Sequence, residues 1–166
     1  NAKDQNERKV LLAGKVEDMI NTVIRQIAFY DFECKLHEAR KAGELTPDDI
    51  NALWMSVQGE SLGPAFEFMD GYETFWAYIP HFVHSPFYVY AYAFGDGLVN
   101  ALYAVYEAAP DGFQEKYFDM LKAGGSQHHK DLLAPFGLDA SDPTFWQQGL
   151  SMISSMIDEL EAMETP

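Results

Sequence analysis

Cysteine is nearly missing from this 166-residue chain, basic residues are few, and no apolar run is long. Each shortage excludes something. Cys34 is the single thiol, so neither an internal disulfide nor a cysteine-based zinc site can form, and a reducing compartment is the simplest context. With no activating base beside it, Cys34 reads as a small buried hydrophobe and not as a nucleophile. Eleven Lys and Arg stand against 26 Asp and Glu, a formal charge of -15. That surface repels phosphate, so nucleic acid is excluded as a partner and docking on an anionic membrane is disfavoured. No apolar stretch reaches the roughly 18 residues a membrane span needs, and the first residues do not read as a secretory signal. A cytoplasmic location follows as the expectation. There is no initiator Met, and Asn1-Ala2 read as a cloning scar ahead of a sequence that opens inside a helix, so an excised fragment is expected.

Apolar and aromatic side chains are plentiful, at 48% and 14% of the residues. At this length folding buries roughly 70% of the surface an extended chain exposes, enough for a real core. From about Glu7 to Ala42 the apolar positions Val10, Leu11, Val16, Met19, Ile20, Val23, Ile24, Ile27 and Phe32 recur at three and four residues. The spacing predicts one long amphipathic helix with a break near Gly14 and a stop at Gly43. Thr46-Pro47-Asp48-Asp49 supplies a cap, a proline at the first helical position and acids in the first turn. The second helix is predicted to end near Gly59. Residues 59 to 80, rich in Gly and aromatics, read as a packed loop with one helical turn.

A third helix is predicted from Pro86 to Ala109, then shorter ones from Gly112 to Ala123 and from a Ser126 cap to Pro135. Asp142-Pro143 opens the last, running to about Met163 with Trp146, Leu150, Ile153, Ile157 and Leu160 inward. No β alternation survives beyond Phe87-Tyr88-Val89-Tyr90. The expected fold is all-α, a bundle-like array of helices in a single domain over residues 1–166.

Two short patterns imitate metal chemistry. His37-Glu38 resembles the start of HExxH, where two histidines one helical turn apart bind zinc and the Glu serves as base. Position 41 is Lys41, which cannot complete the site, so a solvated His-Glu pair is the better reading. His128-His129 are adjacent, point about 100° apart on a helix and cannot chelate one ion together; they read as exposed or capping residues. Leu121-Lys122-Ala123-Gly124-Gly125-Ser126 places its lysine before the glycines, unlike a phosphate loop, and reads as a helix stop followed by a cap. No metal ligand set is assigned to this chain.

The run Ile79-Pro80-His81-Phe82-Val83-His84-Ser85-Pro86-Phe87-Tyr88-Val89-Tyr90-Ala91-Tyr92 is different. Prolines on both sides of the histidines fix a bend, which would set His81 in a loop over a helix face presenting Tyr88 and Tyr92. Imidazole N–H and phenol O–H are neutral donors suited to a peptide carbonyl or a developing oxyanion. Tyrosines on a helix also serve as amphipathic core, and composition alone leaves both readings standing.

Taken in order, several blocks resemble the C-terminal region of oligoendopeptidase F and its relatives among thimet-type zinc peptidases. They are Arg25-Gln26-Ile27-Ala28-Phe29 with Phe32-Glu33, Trp76 with Ile79-Pro80-His81-Phe82, Phe87-Tyr88-Val89-Tyr90-Ala91-Tyr92-Ala93, and Leu121-Lys122-Ala123-Gly124-Gly125-Ser126 with Leu132-Leu133. The resemblance implies a helical fold with a deep cleft in which zinc, held by HExxH and a downstream Glu, cleaves short peptides. Those ligands belong to an earlier part of the family's chain. What maps onto this chain is the facing wall of the cleft. His81 and Tyr88 match the family's transition-state and substrate donors, with Tyr90, His84 and Tyr92 as substrate-binding residues. Zinc is therefore implied for the full-length enzyme and not for this chain.

The expectation is a substrate-binding, oxyanion-stabilising part of a zinc endopeptidase, inactive alone, whose partner in the whole enzyme is an oligopeptide. A non-catalytic helical interaction module with the same fold is the alternative, and an unrelated ligand-binding bundle is the remaining one. The face bearing His81, Tyr88 and Tyr90 is also where the isolated chain is expected to self-associate.

Overall fold

A computed structural model describes residues 3–164, and among them there are helices and no strands. The all-α expectation holds. Asn1 and Ala2, read above as a scar, lie outside the described residues. The helices are α1 (Gln5–Thr22), α2 (Ile24–Ala42), α3 (Pro47–Leu62), the single turn α4 (His81–His84), α5 (Tyr90–Ala108), α6 (Phe113–Ala123), α7 (His129–Leu133) and α8 (Pro143–Glu164). Short 3-10 turns cover residues 63–65, 72–78 and 134–136. The chain divides into two compact units, one running from Ile20 to Phe94 and the other joining the residues up to Met19 with those from Gly95 onward.

The 20–94 unit is built around a stripe of α2. Ala28, Phe29 and Phe32 fall on one helical face and are buried against Trp54 and Val57 of α3, with Val89 completing the cluster. The capping box starts α3 as its sequence implies. Thr46 accepts the Asp49 amide at 3.2 Å, and the Asp49 carboxylate accepts the Thr46 amide at 2.8 Å. Between α3 and α4 the irregular segment is fastened by side chains, so it is a packed loop. Trp54 Nε1 donates to the Tyr72 carbonyl at 3.0 Å, Tyr72 donates to Gln58 Oε1 at 3.1 Å, and Trp76 Nε1 donates to Asn51 Oδ1 at 2.8 Å.

The second unit has its own core of Ala101, Leu102, Leu133, Phe136, Leu138 and Phe145. Asp142 caps α8, accepting the amide and hydroxyl of Thr144, each at 2.8 Å. Arg8 of α1 and Glu159 of α8 form an ion pair at 2.6 Å.

The structure moves four boundaries and one helix face. The long first helix is interrupted at Val23 and not near Gly14, which stays inside α1; one glycine costs a helix only about 1 kcal/mol. The second helix continues past Gly59 to Leu62, where Gly63 at φ +65° ends it. The third starts at Tyr90 and not at Pro86, because Phe87 holds φ +60° and no helix runs through a left-handed residue. His128, not Ser126, caps α7 by accepting the Lys130 amide at 3.3 Å on Nδ1. On α8 the inward stripe is Phe145, Gly149 and Ile153, while Leu150 is exposed. A Cβ on Gly149 would stand 3.5 Å from the Gly97 Cα, so this glycine face, and not the leucine, meets α5.

Candidate functional site

All five candidate residues fall in the unit 20–94. Pro80 precedes α4, and the carbonyls of Pro80 and His81 accept the amides of His84 and Ser85, both at 2.9 Å, closing one helical turn. His81 therefore opens a short helix instead of lying in an open loop. Tyr88 lies outside α5, in a turn whose amide donates to the Ser85 carbonyl at 3.2 Å. Tyr90 and Tyr92 belong to the first turn of α5.

Three of the five come together. His81 Nε2 and the Tyr92 hydroxyl share a hydrogen bond at 3.0 Å. The His81 ring lies parallel to that of Tyr88 with centroids 6.2 Å apart, and Tyr88 meets Tyr92 edge-on at 5.5 Å. In a neutral imidazole the pair keeps one donor to spare. If Tyr92 donates to Nε2, the proton sits on Nδ1; if Nε2–H donates, the Tyr92 O–H is released. Tyr88 is half exposed and its hydroxyl finds no acceptor among the described residues. The cluster thus offers two neutral donors at the surface, a chemistry suited to carbonyl oxygens.

The other two stand apart. Tyr90 leans on Tyr30 of α2, centroids 5.7 Å apart. His84 is exposed at the end of α4 and outside the stack. The Tyr30 phenol is itself pushed above its ordinary value, chiefly by hydrogen bonding with the Cys34 side chain. Cys34 is half-buried beside it, lining a shallow groove of about 500 Å³ with Ile24, Ile27 and Lys35.

Sequence reasoning missed Glu33. It is 1% exposed on α2, and its Oε1 accepts the Phe87 amide at 2.9 Å. Its Oε2 has no hydrogen-bond partner among the described residues. The one signal available was a charged residue on the buried stripe, directly after Phe32.

The donors present do not fit a zinc ion. Among the described residues no three His, Cys, Asp or Glu side chains group to hold a metal. Glu38 pairs with Lys41, the residue that occupies the place a second histidine would need, and His37 instead packs on the Phe87 ring at 4.7 Å. His128 is committed to its cap, and its ring lies tilted against that of His129 with centroids 4.1 Å apart.

Residues 1–152 match Peptidase family M3. The chain belongs to that family. It is 31% identical over 163 residues to the plasmid-encoded oligoendopeptidase F of Lactococcus lactis subsp. cremoris, covering 98% of this chain and 27% of the relative. To oligopeptidase PepF of Bacillus subtilis it is 30% identical over 164 residues, covering 98% and 24%. The crystal structure of oligoendopeptidase-F from Enterococcus faecium superposes with a TM-score of 0.87 at 26% identity, over 97% of this chain and 31% of that one. The chain therefore spans about a quarter of the length of these curated relatives. Among the described residues no helix is long and apolar enough to cross a membrane.

Proposed function

We propose that this chain is the substrate-binding and transition-state-stabilising C-terminal part of a zinc-dependent, cytoplasmic oligoendopeptidase that hydrolyses peptide bonds in short peptides. The metal ligands are assigned to the part of the longer protein upstream of Lys3, and the chain alone is inactive. The observation that carries this reading is the His81–Tyr88–Tyr92 cluster, three side chains from separate turns converging on one surface with donors to spare. Family membership and the names of the similar proteins supply the peptide substrate class.

Peptide hydrolysis turns a flat carbonyl into a tetrahedral centre whose oxygen carries charge. A hydroxyl held toward that oxygen bonds it more tightly as the charge grows, which lowers the barrier without tightening substrate binding equally. What supports this role for Tyr88 is a hydroxyl without an acceptor among the described residues and a ring that packs with His81 and Tyr92. His81, tied to Tyr92, supplies the second donor through the pair. Tyr90 and His84, which stand apart from the cluster, are assigned further contacts to the peptide.

The test is Tyr88→Phe and His81→Ala in the longer protein. Removing one oxyanion donor is expected to lower kcat by about 100-fold or more with a smaller change in KM. Unchanged turnover in correctly folded variants would assign both residues to packing, whereas a parent protein without turnover would favour the non-catalytic module.

A further inference from the structure

We infer that Glu33 is a positioning residue for this site, gripping the turn that carries Tyr88 and leads into Tyr90. The inference rests on the reading of Tyr88 as a donor and deepens it. Phe87 is the one non-glycine among the described residues with a left-handed backbone, at φ +60°. For a side chain with a Cβ and a bulky ring this costs on the order of 1–3 kcal/mol and persists only where the surroundings enforce it.

Those surroundings are three side chains of α2. Glu33 Oε1 takes the Phe87 amide at 2.9 Å. Tyr30 meets the Phe87 ring edge-on at 6.2 Å, and His37 lies on it at 4.7 Å. Positions 30, 33 and 37 are spaced three and four apart, so they form one stripe of the helix. The next residue but one, Val89, is completely buried in the core. Tyr88 is thereby held between two fixed points, an amide anchored to Glu33 and a valine plugged into the core. Its ring has no choice but to project outward, beside His81.

The energetics argue against a packing role for the carboxyl. Glu33 is 1% exposed with one oxygen unpartnered, and a buried acceptor without a donor costs about 1–3 kcal/mol. A local rule broken in the core next to a strained residue points to a site requirement. What only a carboxyl or carboxamide gives here is an acceptor for an amide that the left-handed turn aims inward, away from any turn partner of its own.

The test uses the longer peptidase and two substitutions. Glu33→Gln keeps the acceptor and the shape, whereas Glu33→Met keeps only the volume. Glu33→Gln is expected to stay within about twofold of the parent in kcat, because the amide oxygen still accepts from Phe87. Glu33→Met is expected to lower kcat by about tenfold or more, through displacement of Tyr88 by a fraction of an ångström, with KM moving less. In a Tyr88→Phe background Glu33→Met should cost little further, since the two act through one hydroxyl.

Additive losses, or a Glu33→Met variant with parental kcat, would overturn the assignment while leaving Tyr88 in place. A Glu33→Gln variant as impaired as Glu33→Met would overturn it too, because charge and not the acceptor would then matter. Silence of Tyr88→Phe by itself removes the donor reading and this assignment with it. If Glu33→Met does not fold, the Glu33→Gln rate alone decides: parental kcat supports the assignment and a loss of about tenfold overturns it.

Discussion

The two compact units are made of the same materials and spend them differently. Both bury a cluster of aliphatic and aromatic side chains, and both leave tyrosines at the surface. In the unit containing α6, the groove of about 470 Å³ lined by Tyr103, Tyr106, Phe113 and Tyr117 looks on composition as promising as any. Its Tyr103, however, hydrogen-bonds Glu107 one turn along the same helix, which pushes its phenol above the ordinary value. In the 20–94 unit Tyr92 is bonded to His81 from a different element, eleven residues away. The first arrangement is local and any helix can make it. The second requires the tertiary fold, and it comes with a buried glutamate and a left-handed phenylalanine. Strained backbone and buried polar groups, more than aromatic content, distinguish the candidate site from the tyrosine-lined groove.

Several experiments can break that comparison. The largest effect should come from Trp54→Ala, which empties the centre of the 20–94 core where the indole is completely buried against Phe29 and Phe32. A loss of about 3–5 kcal/mol is expected in denaturant unfolding, together with disorder of the segment that Trp54 fastens through the Tyr72 carbonyl. A loss confined to 1 kcal/mol would mean the core is not organised around this ring.

Tyr72→Phe probes the polar side of the same unit. It strips the donor from Gln58 Oε1, which is 1% exposed, while Gln58 Nε2 already has no partner among the described residues. The expected cost is about 1–3 kcal/mol by the same measurement. Burial pushes the Tyr72 phenol above its ordinary value of 10.0. The sign follows from linkage: this stabilisation is complete below pH 10.0 and is lost as pH rises through the higher value in the folded chain. Parent and Tyr72→Phe should therefore converge in alkaline unfolding, and parallel curves would count against the assignment.

The smallest effect is expected in the other unit. A Cβ on Gly97 would meet the Trp146 ring at 3.0 Å, and that ring is held by donation from Nε1 to the Ala140 carbonyl at 3.0 Å. Gly97→Ala gains up to about 1 kcal/mol of helix propensity but incurs about 1–3 kcal/mol of overpacking. Net destabilisation of about 1 kcal/mol should appear in thermal unfolding. A stabilised variant would show that the indole yields freely.

Much of the fold was legible in the chain. Thr46-Pro47 and Asp142-Pro143 mark helix starts because capping chemistry is local, and the α2 stripe declares itself by period. The site was legible only in part. His81, Tyr88 and Tyr92 could be named because they are close in sequence, whereas Tyr90 and His84 have the same credentials and sit outside the cluster. Leu150 was misplaced because periodicity sees hydrophobicity and not the close approach that Gly97 and Gly149 allow.

By itself, then, the sequence determined an all-helical chain, the caps at Thr46 and Asp142, and a short run rich in His and Tyr donors. These follow from interactions within a few residues. Only tertiary structure decided which donors meet, where the third long helix begins, and that Glu33 reaches across 54 residues to hold Phe87. A backbone angle of +60° at a phenylalanine is unfavourable on every local count. It exists because another helix supplies the acceptor and the walls, and no window of sequence contains both.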